Sequence, residues 1–130
     1  MLRAAEHPAT SPEQKYRSLR LAAGLWTDMG QPQTAELLME QAQAIAGLPE
    51  DRLRRVQAGI DSGRIAYVAG RHEQSLQLLI QARQEAEQAG DLNLLRDALS
   101  CLSSANDFLG RLEDALAAAI AALDIAKAQG

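Results

Sequence analysis

Three glycines, Gly30, Gly70 and Gly110, stand 40 residues apart, and Gly90 and Gly130 repeat the same interval. Sliding the chain by 40 residues aligns more than glycine. Gly70-Arg71-His72-Glu73 falls on Gly110-Arg111-Leu112-Glu113, Leu76 on Leu116, and Ile80 on Ile120. Small residues form columns: Ala35, Ser75 and Ala115; Ala42, Ala82 and Ala122; Ala46, Ala86 and Ala126. Such a register limits the fold to tandem units that each lean on the next, at about 11–50, 51–90 and 91–130. Residues 1–10 fall outside it and are expected to form an unstructured N-terminus.

Composition says what one unit is made of. There are 25 alanines, 20 leucines and 12 glutamines, against one Trp, two Tyr and one Phe. Helix formers dominate and strand formers are scarce, so the expected class is all-α. Each unit reads as two helices. Ser11-Pro12-Glu13-Gln14 is a start signal, with Ser as N-cap, Pro at the first helical position and Gln three residues after the cap. Asp51 and Asp91 occupy the same place in the next units and can cap their helices, although Pro49 suggests a slightly earlier start for the second. Gly30, Gly70 and Gly110 mark the turn inside each unit. Second helices are then expected over about 32–46, 72–89 and 112–128. With such short loops, consecutive helices pack antiparallel. Leu25, Met29, Leu38, Ile65, Leu78, Leu79, Ile80, Leu109 and Ile120 are expected to supply the apolar area between hairpins, with Ala82 buried among them.

A helix-turn-helix unit with small residues at fixed columns resembles the tetratricopeptide repeat, whose usual period is about 34. The 40-residue form, with Ala89-Gly90-Asp91 between units, is similar to the longer repeats of bacterial signalling and transcription regulators. The columns match residue by residue. A small residue stands midway along each first helix (Ala23, Gly63, Ser103), and another lies five positions after each turn glycine (Ala35, Ser75, Ala115). An alanine follows seven positions later, at Ala42, Ala82 and Ala122. The large residue between the last two columns is present as Met39 and Leu79 but is Ala119 in the third unit. The early aromatic of the pattern is replaced by Leu19, Gly59 and Leu99, and Trp26 has only Ala66 and Asn106 as counterparts. The resemblance covers residues 11–130 and implies three repeats stacked as a short right-handed α-solenoid, in a chain that is a piece of a longer protein.

Chemistry is sparse. His7, His72 and Cys101 are too few, and too far from ligand spacing, for a metal site, and no cofactor motif is present. His72 reads as a solvated or capping residue, and Cys101, within Cys101-Leu102-Ser103-Ser104, as a small packing residue. Asp61-Ser62-Gly63 falls mid-helix without the spacing of a serine nucleophile, and Gly59 with Gly63 reads as a close-packing face. Arg52, Arg54 and Arg55 beside Glu50 and Asp51 read as an exposed first turn. The chain is therefore not expected to be an enzyme. A net charge of −4 argues against nucleic acid as partner. No apolar run approaches the roughly 18 residues of a membrane span, and Met1 to Pro8 lacks the stretches of a secretory signal. One cysteine excludes an internal disulfide and fits a reducing compartment, so a cytoplasmic location is expected.

In the family it resembles, partner segments lie in a concave groove lined by the first helices. Laid on this chain, that implies Arg17, Arg20, Gly24 and Thr27, then Gln57, Ile60, Arg64 and Tyr67, then Asp97, Ser100, Ser104 and Asp107. Each set keeps to one helical face. Such a groove would be basic in the first unit and acidic in the third, with Arg64 and Tyr67 as anchors. The expected function is binding of a protein or peptide, as the regulatory region of a larger signalling protein. The alternative is self-association, with homodimers paired two-fold through the apolar final helix at Leu116, Leu123 and Ile125.

Overall fold

A computed structural model describes residues 11–48 and 51–130, so the expected tail at 1–10 and Pro49 lie outside the described residues. Among the described residues six helices follow one another: α1 (Pro12–Asp28), α2 (Pro32–Gln43), α3 (Arg52–Val68), α4 (His72–Ala89), α5 (Leu92–Phe108) and α6 (Leu112–Gln129). They pack as three consecutive pairs, α1 with α2, α3 with α4 and α5 with α6. The chain divides into two compact units, Met1–Glu50 with the first pair and Asp51–Gly130 with the other two. Within the second unit, α5 packs on both α4 and α3. No described helix is long and apolar enough to cross a membrane.

Local chemistry sets the helix ends. Ser11 Oγ accepts from the Gln14 N–H at 3.1 Å while the Ser11 N–H donates to Gln14 Oε1 at 3.0 Å, closing a capping box. Asp51 Oδ1 accepts from the Arg54 N–H at 2.9 Å, and Asp91 Oδ1 from the Leu94 N–H at 3.0 Å. With Asp51 as cap, α3 begins at Arg52; the earlier start suggested by Pro49 does not occur. Gly30, Gly70 and Gly110 take φ values of 75°, 84° and 77°, a region costly for any residue with a Cβ. The next N–H in each turn, from Gln31, Arg71 and Arg111, reaches back to the carbonyls of Trp26, Ala66 and Asn106 at 2.8–2.9 Å. This is the Schellman closure of a helix. The second helix of the first pair is shorter than expected, ending at Gln43 rather than 46. Beyond it Gly47 turns at φ 86° against the Pro12 ring, which closes the hairpin on the start of α1.

The small columns are where helices meet. Ala35, Ser75 and Ala115 are buried, as are Ala42, Ala82 and Ala122. A Cβ built on Gly59 would stand 3.4 Å from the Ala82 Cβ, and one on Gly63 only 2.7 Å from Leu79 Cγ and Cδ2. A hydroxyl sews the second and third pairs at this level. Ser75 Oγ donates to the Gly63 carbonyl at 2.7 Å, and Ser103 Oγ donates to the Ala115 carbonyl at 2.9 Å. In the first pair both column residues are alanine, and the Thr27 hydroxyl instead donates to the Ala23 carbonyl at 2.8 Å.

Some expected packing residues are placed otherwise. Leu38, Ile65 and Leu79 are buried, and Leu78, Ile80 and Leu109 are half-buried, but Leu25, Met29 and Ile120 are exposed. Ile120 lacks the cover that its counterpart Ile80 has, because α6 packs on α5 alone. Leu25 and Met29 face outward where their counterparts Ala105 and Leu109 pack on the buried leucines of α4. Of the third column only Ala86 is buried; Ala46 lies past the end of α2, and Ala126 in the last turns of α6 is uncovered.

Two of the helical glycines, Gly63 and Gly24, should respond oppositely to alanine. Gly63→Ala forces a methyl into the buried Leu79 side chain and should cost about 1–3 kcal/mol. Gly24, with nothing within 4 Å of its added Cβ, should gain up to about 1 kcal/mol from helix propensity. Urea unfolding of both variants checks the pair; a neutral Gly63→Ala would contradict the close approach.

Candidate partner-binding face

The neighbouring first helices α3 and α5 form one face of the second unit. Their shared base is buried: Val56 and Ile60 of α3 cluster with Ala98 of α5 and with Ala82 and Ala86 of α4. Above it, Arg64, Asp97, Ser100, Ser104 and Asp107 are exposed, while Gln57 and Tyr67 are half-buried. Ile60, expected on the same face, is buried and serves as floor rather than contact. Residues three and four apart share one broad helical face, and Ile60 lies on the edge of that face which packs against α4 and α5.

Arg64 and Asp97 come from successive repeats, and the charge of each acts on Cys101. That thiol is half-buried between the two apolar clusters of the unit. Burial pushes its pKa above the ordinary thiol range; the Arg64 guanidinium pulls it back, and the Asp97 and Asp61 carboxylates push it further up. The thiol is thus kept protonated and poorly nucleophilic. One cationic and two anionic side chains of α3 and α5 therefore act on this thiol. Asp61-Ser62-Gly63 lies in regular helix, with its glycine spent on contact with Leu79.

At the turn end of this face the structure gathers aromatic rings that sequence reasoning did not group. His72 is no simple cap or solvated residue. Its ring stacks on Phe108 with centroids 3.6 Å apart and meets Tyr67 edge-on at 5.0 Å. Tyr67 also meets Phe108 edge-on at 6.1 Å. The signal was present only in the register: His72 opens α4 where Phe108 closes α5, so the two helix ends adjoin when α4 packs on α5. Beside them Arg111 Nη2 donates to Glu73 Oε2 at 3.1 Å, tying the third hairpin's turn to the second hairpin. At the other end of the third hairpin, Arg96 Nη1 donates to Gln129 Oε1 at 2.7 Å, and Gln129 Nε2 to Asn93 Oδ1 at 2.8 Å.

In the first unit, Arg17 is exposed and Arg20 and Gly24 are half-buried. Thr27 is buried with its hydroxyl committed to the Ala23 carbonyl, so it packs instead of facing a partner. On α6, Leu116 and Leu123 are exposed, whereas Ile125 is half-buried against the core of its own unit. Among the described residues no three His, Cys, Asp or Glu side chains are grouped to hold a metal ion. Compared with known proteins, the chain matches no family model, no curated protein and no solved structure.

The charges around Cys101 give a direct probe of this face. Alkylation by iodoacetamide at pH 8 should be several-fold slower than that of a free thiol. Arg64→Ala should slow it further, and Asp97→Asn should accelerate it. Because the folded pKa is raised, the stabilisation linked to the protonated thiol is complete below the ordinary thiol value of about 8.5 and is lost as pH climbs through the folded value. An alkylation rate indifferent to both substitutions would separate Arg64 and Asp97 from the thiol.

Proposed function

We propose that this chain is a non-catalytic, tetratricopeptide-like module that binds a protein segment across the first helices of its second and third repeats, as the regulatory region of a larger signalling protein. The observation that carries the reading is that Arg64 on α3 and Asp97, Ser100 and Ser104 on α5 are exposed above the buried base which these two helices share. A mixed-charge strip, with the half-buried Tyr67 ring at one end and the Ser100 and Ser104 hydroxyls along it, suits an extended or helical peptide bearing both signs of charge. Aromatic and arginine side chains of this kind recur as energetic anchors at interfaces. The 40-residue register, the paired helices and the small columns support the repeat assignment. A second reading, self-association, is favoured by the exposed leucines of α6.

Fluorescence anisotropy against a library of acidic and mixed-charge peptides tests the first reading. For the best binder, Arg64→Ala should weaken affinity about tenfold or more, equivalent to ~1.4 kcal/mol. Tyr67→Ala should weaken it too. Affinity unchanged in these variants would move the site off this face.

A further inference from the structure

Two helices carry apolar faces without cover, and the internal register relates them to each other. On α6, Leu112, Leu116, Ile120 and Leu123 are 64%, 61%, 50% and 53% exposed. Forty residues earlier the same positions of α4 are His72, Leu76, Ile80 and Arg83, the side of α4 that meets α5. There Leu76 is buried, Ile80 packs on the cluster shared with α5, and His72 stacks on Phe108. On α1, Leu21, Leu25 and Met29 are 66%, 55% and 68% exposed. Their counterparts on α5 are Cys101, Ala105 and Leu109, all of which belong to or pack on the cluster that holds Leu76 and Leu79. The open face of α6 is therefore the α4 side of the α4–α5 contact, and the open face of α1 is its α5 side.

We infer that a second copy of this chain covers α6 with its own α1, head to tail, repeating between molecules the contact that α4 and α5 make within one. Three features on the two faces favour this occupant. Size is exchanged across the contact: Leu79 and Ala105 of the internal cluster become Ala119 on α6 and Leu25 on α1, so the large residue changes sides and the summed volume is kept. Charge is opposite: α1 carries three basic and two acidic side chains, α6 three acidic and one basic. The hydrogen bond from Arg111 to Glu73 also has its counterpart, with Gln31 of the second copy placed to donate to Glu113. The contact joins two different surfaces, so it grows into chains of molecules instead of stopping at a two-fold dimer. It is independent of the groove reading, since neither face includes α3 or α5.

Sedimentation velocity over micromolar to submillimolar concentrations tests it on the full chain, with Leu25→Asp and Leu116→Asp as blocked variants. Both positions are exposed, and circular dichroism verifies that the helices remain. The expected result is an average mass for the unaltered chain that rises with concentration past that of a dimer. Each variant alone is monomeric, because one of the two faces it needs is blocked. Mixed in equal amounts, the two variants form a one-to-one heterodimer through the faces left intact, and go no further. An unaltered chain that stays monomeric overturns the inference. So does a Leu25→Asp variant that still dimerises, which would pair α6 with itself, and so does a mixture that yields no heterodimer. Peptide binding at Arg64 and Tyr67 should be unaffected in both variants, so failure here and failure of the groove reading are told apart.

Discussion

Everything in the second unit depends on how closely α3 can approach α4. The missing side chain of Gly63 lets Leu79 lie against the α3 backbone, at a distance where even one methyl group would collide. Helices that meet at small residues exchange many weak dispersion contacts over a short distance, and the stability of the hairpin accumulates from these. The same closeness brings the Ser75 hydroxyl to the Gly63 carbonyl, a carbonyl already engaged in the helix, and gives the buried hydroxyl its partner. In the third hairpin the roles reverse, with Ser103 on the first helix donating to the Ala115 carbonyl on the second. Two sequences thus meet one constraint, a hydroxyl without room for anything larger, from opposite sides of the crossing.

Much of this was legible because it is local. A capping box, two Asp caps and the turn glycines are each decided within a few residues of chain, and all of them form at the positions the sequence indicates. The small columns were legible for another reason: a residue confined by a neighbour at a fixed place in each repeat leaves a periodic trace. What periodicity does not contain is whether the neighbour is there. Leu25, Met29 and Ile120 sit at positions that are packed in the middle of the register, yet all three are exposed. The end of α2 at Gln43 was missed because it follows from Gly47 folding onto Pro12 more than 30 residues upstream.

The candidate face divides in the same way. Spacing placed Arg64 on the outer side of α3 and Asp97 on that of α5, and both are exposed there. That both charges act on Cys101 is a matter of how α5 packs on α3, which no single helix specifies. Thr27 shows the opposite error. Its spacing put it with Arg17 and Arg20, but a threonine hydroxyl can satisfy itself on the carbonyl one turn back, and burial then costs little. His72 was read from its own neighbours in sequence, whereas its environment is made by Phe108, 36 residues away.

A division of labour follows between base and rim. Positions such as Gly63, Ala82 and Ala98 are enclosed by other helices, so a change in volume there is felt as strain or cavity. Arg64, Asp97, Ser100 and Ser104 stand on the same helices but outside that enclosure, where substitutions away from packed features usually shift stability by no more than about 0.5 kcal/mol. The seam between α3 and α5 can therefore change the charge pattern it presents while the columns beneath hold the helices at fixed spacing. That separation would let the proposed binding face change its specificity through side chains on which the fold does not depend.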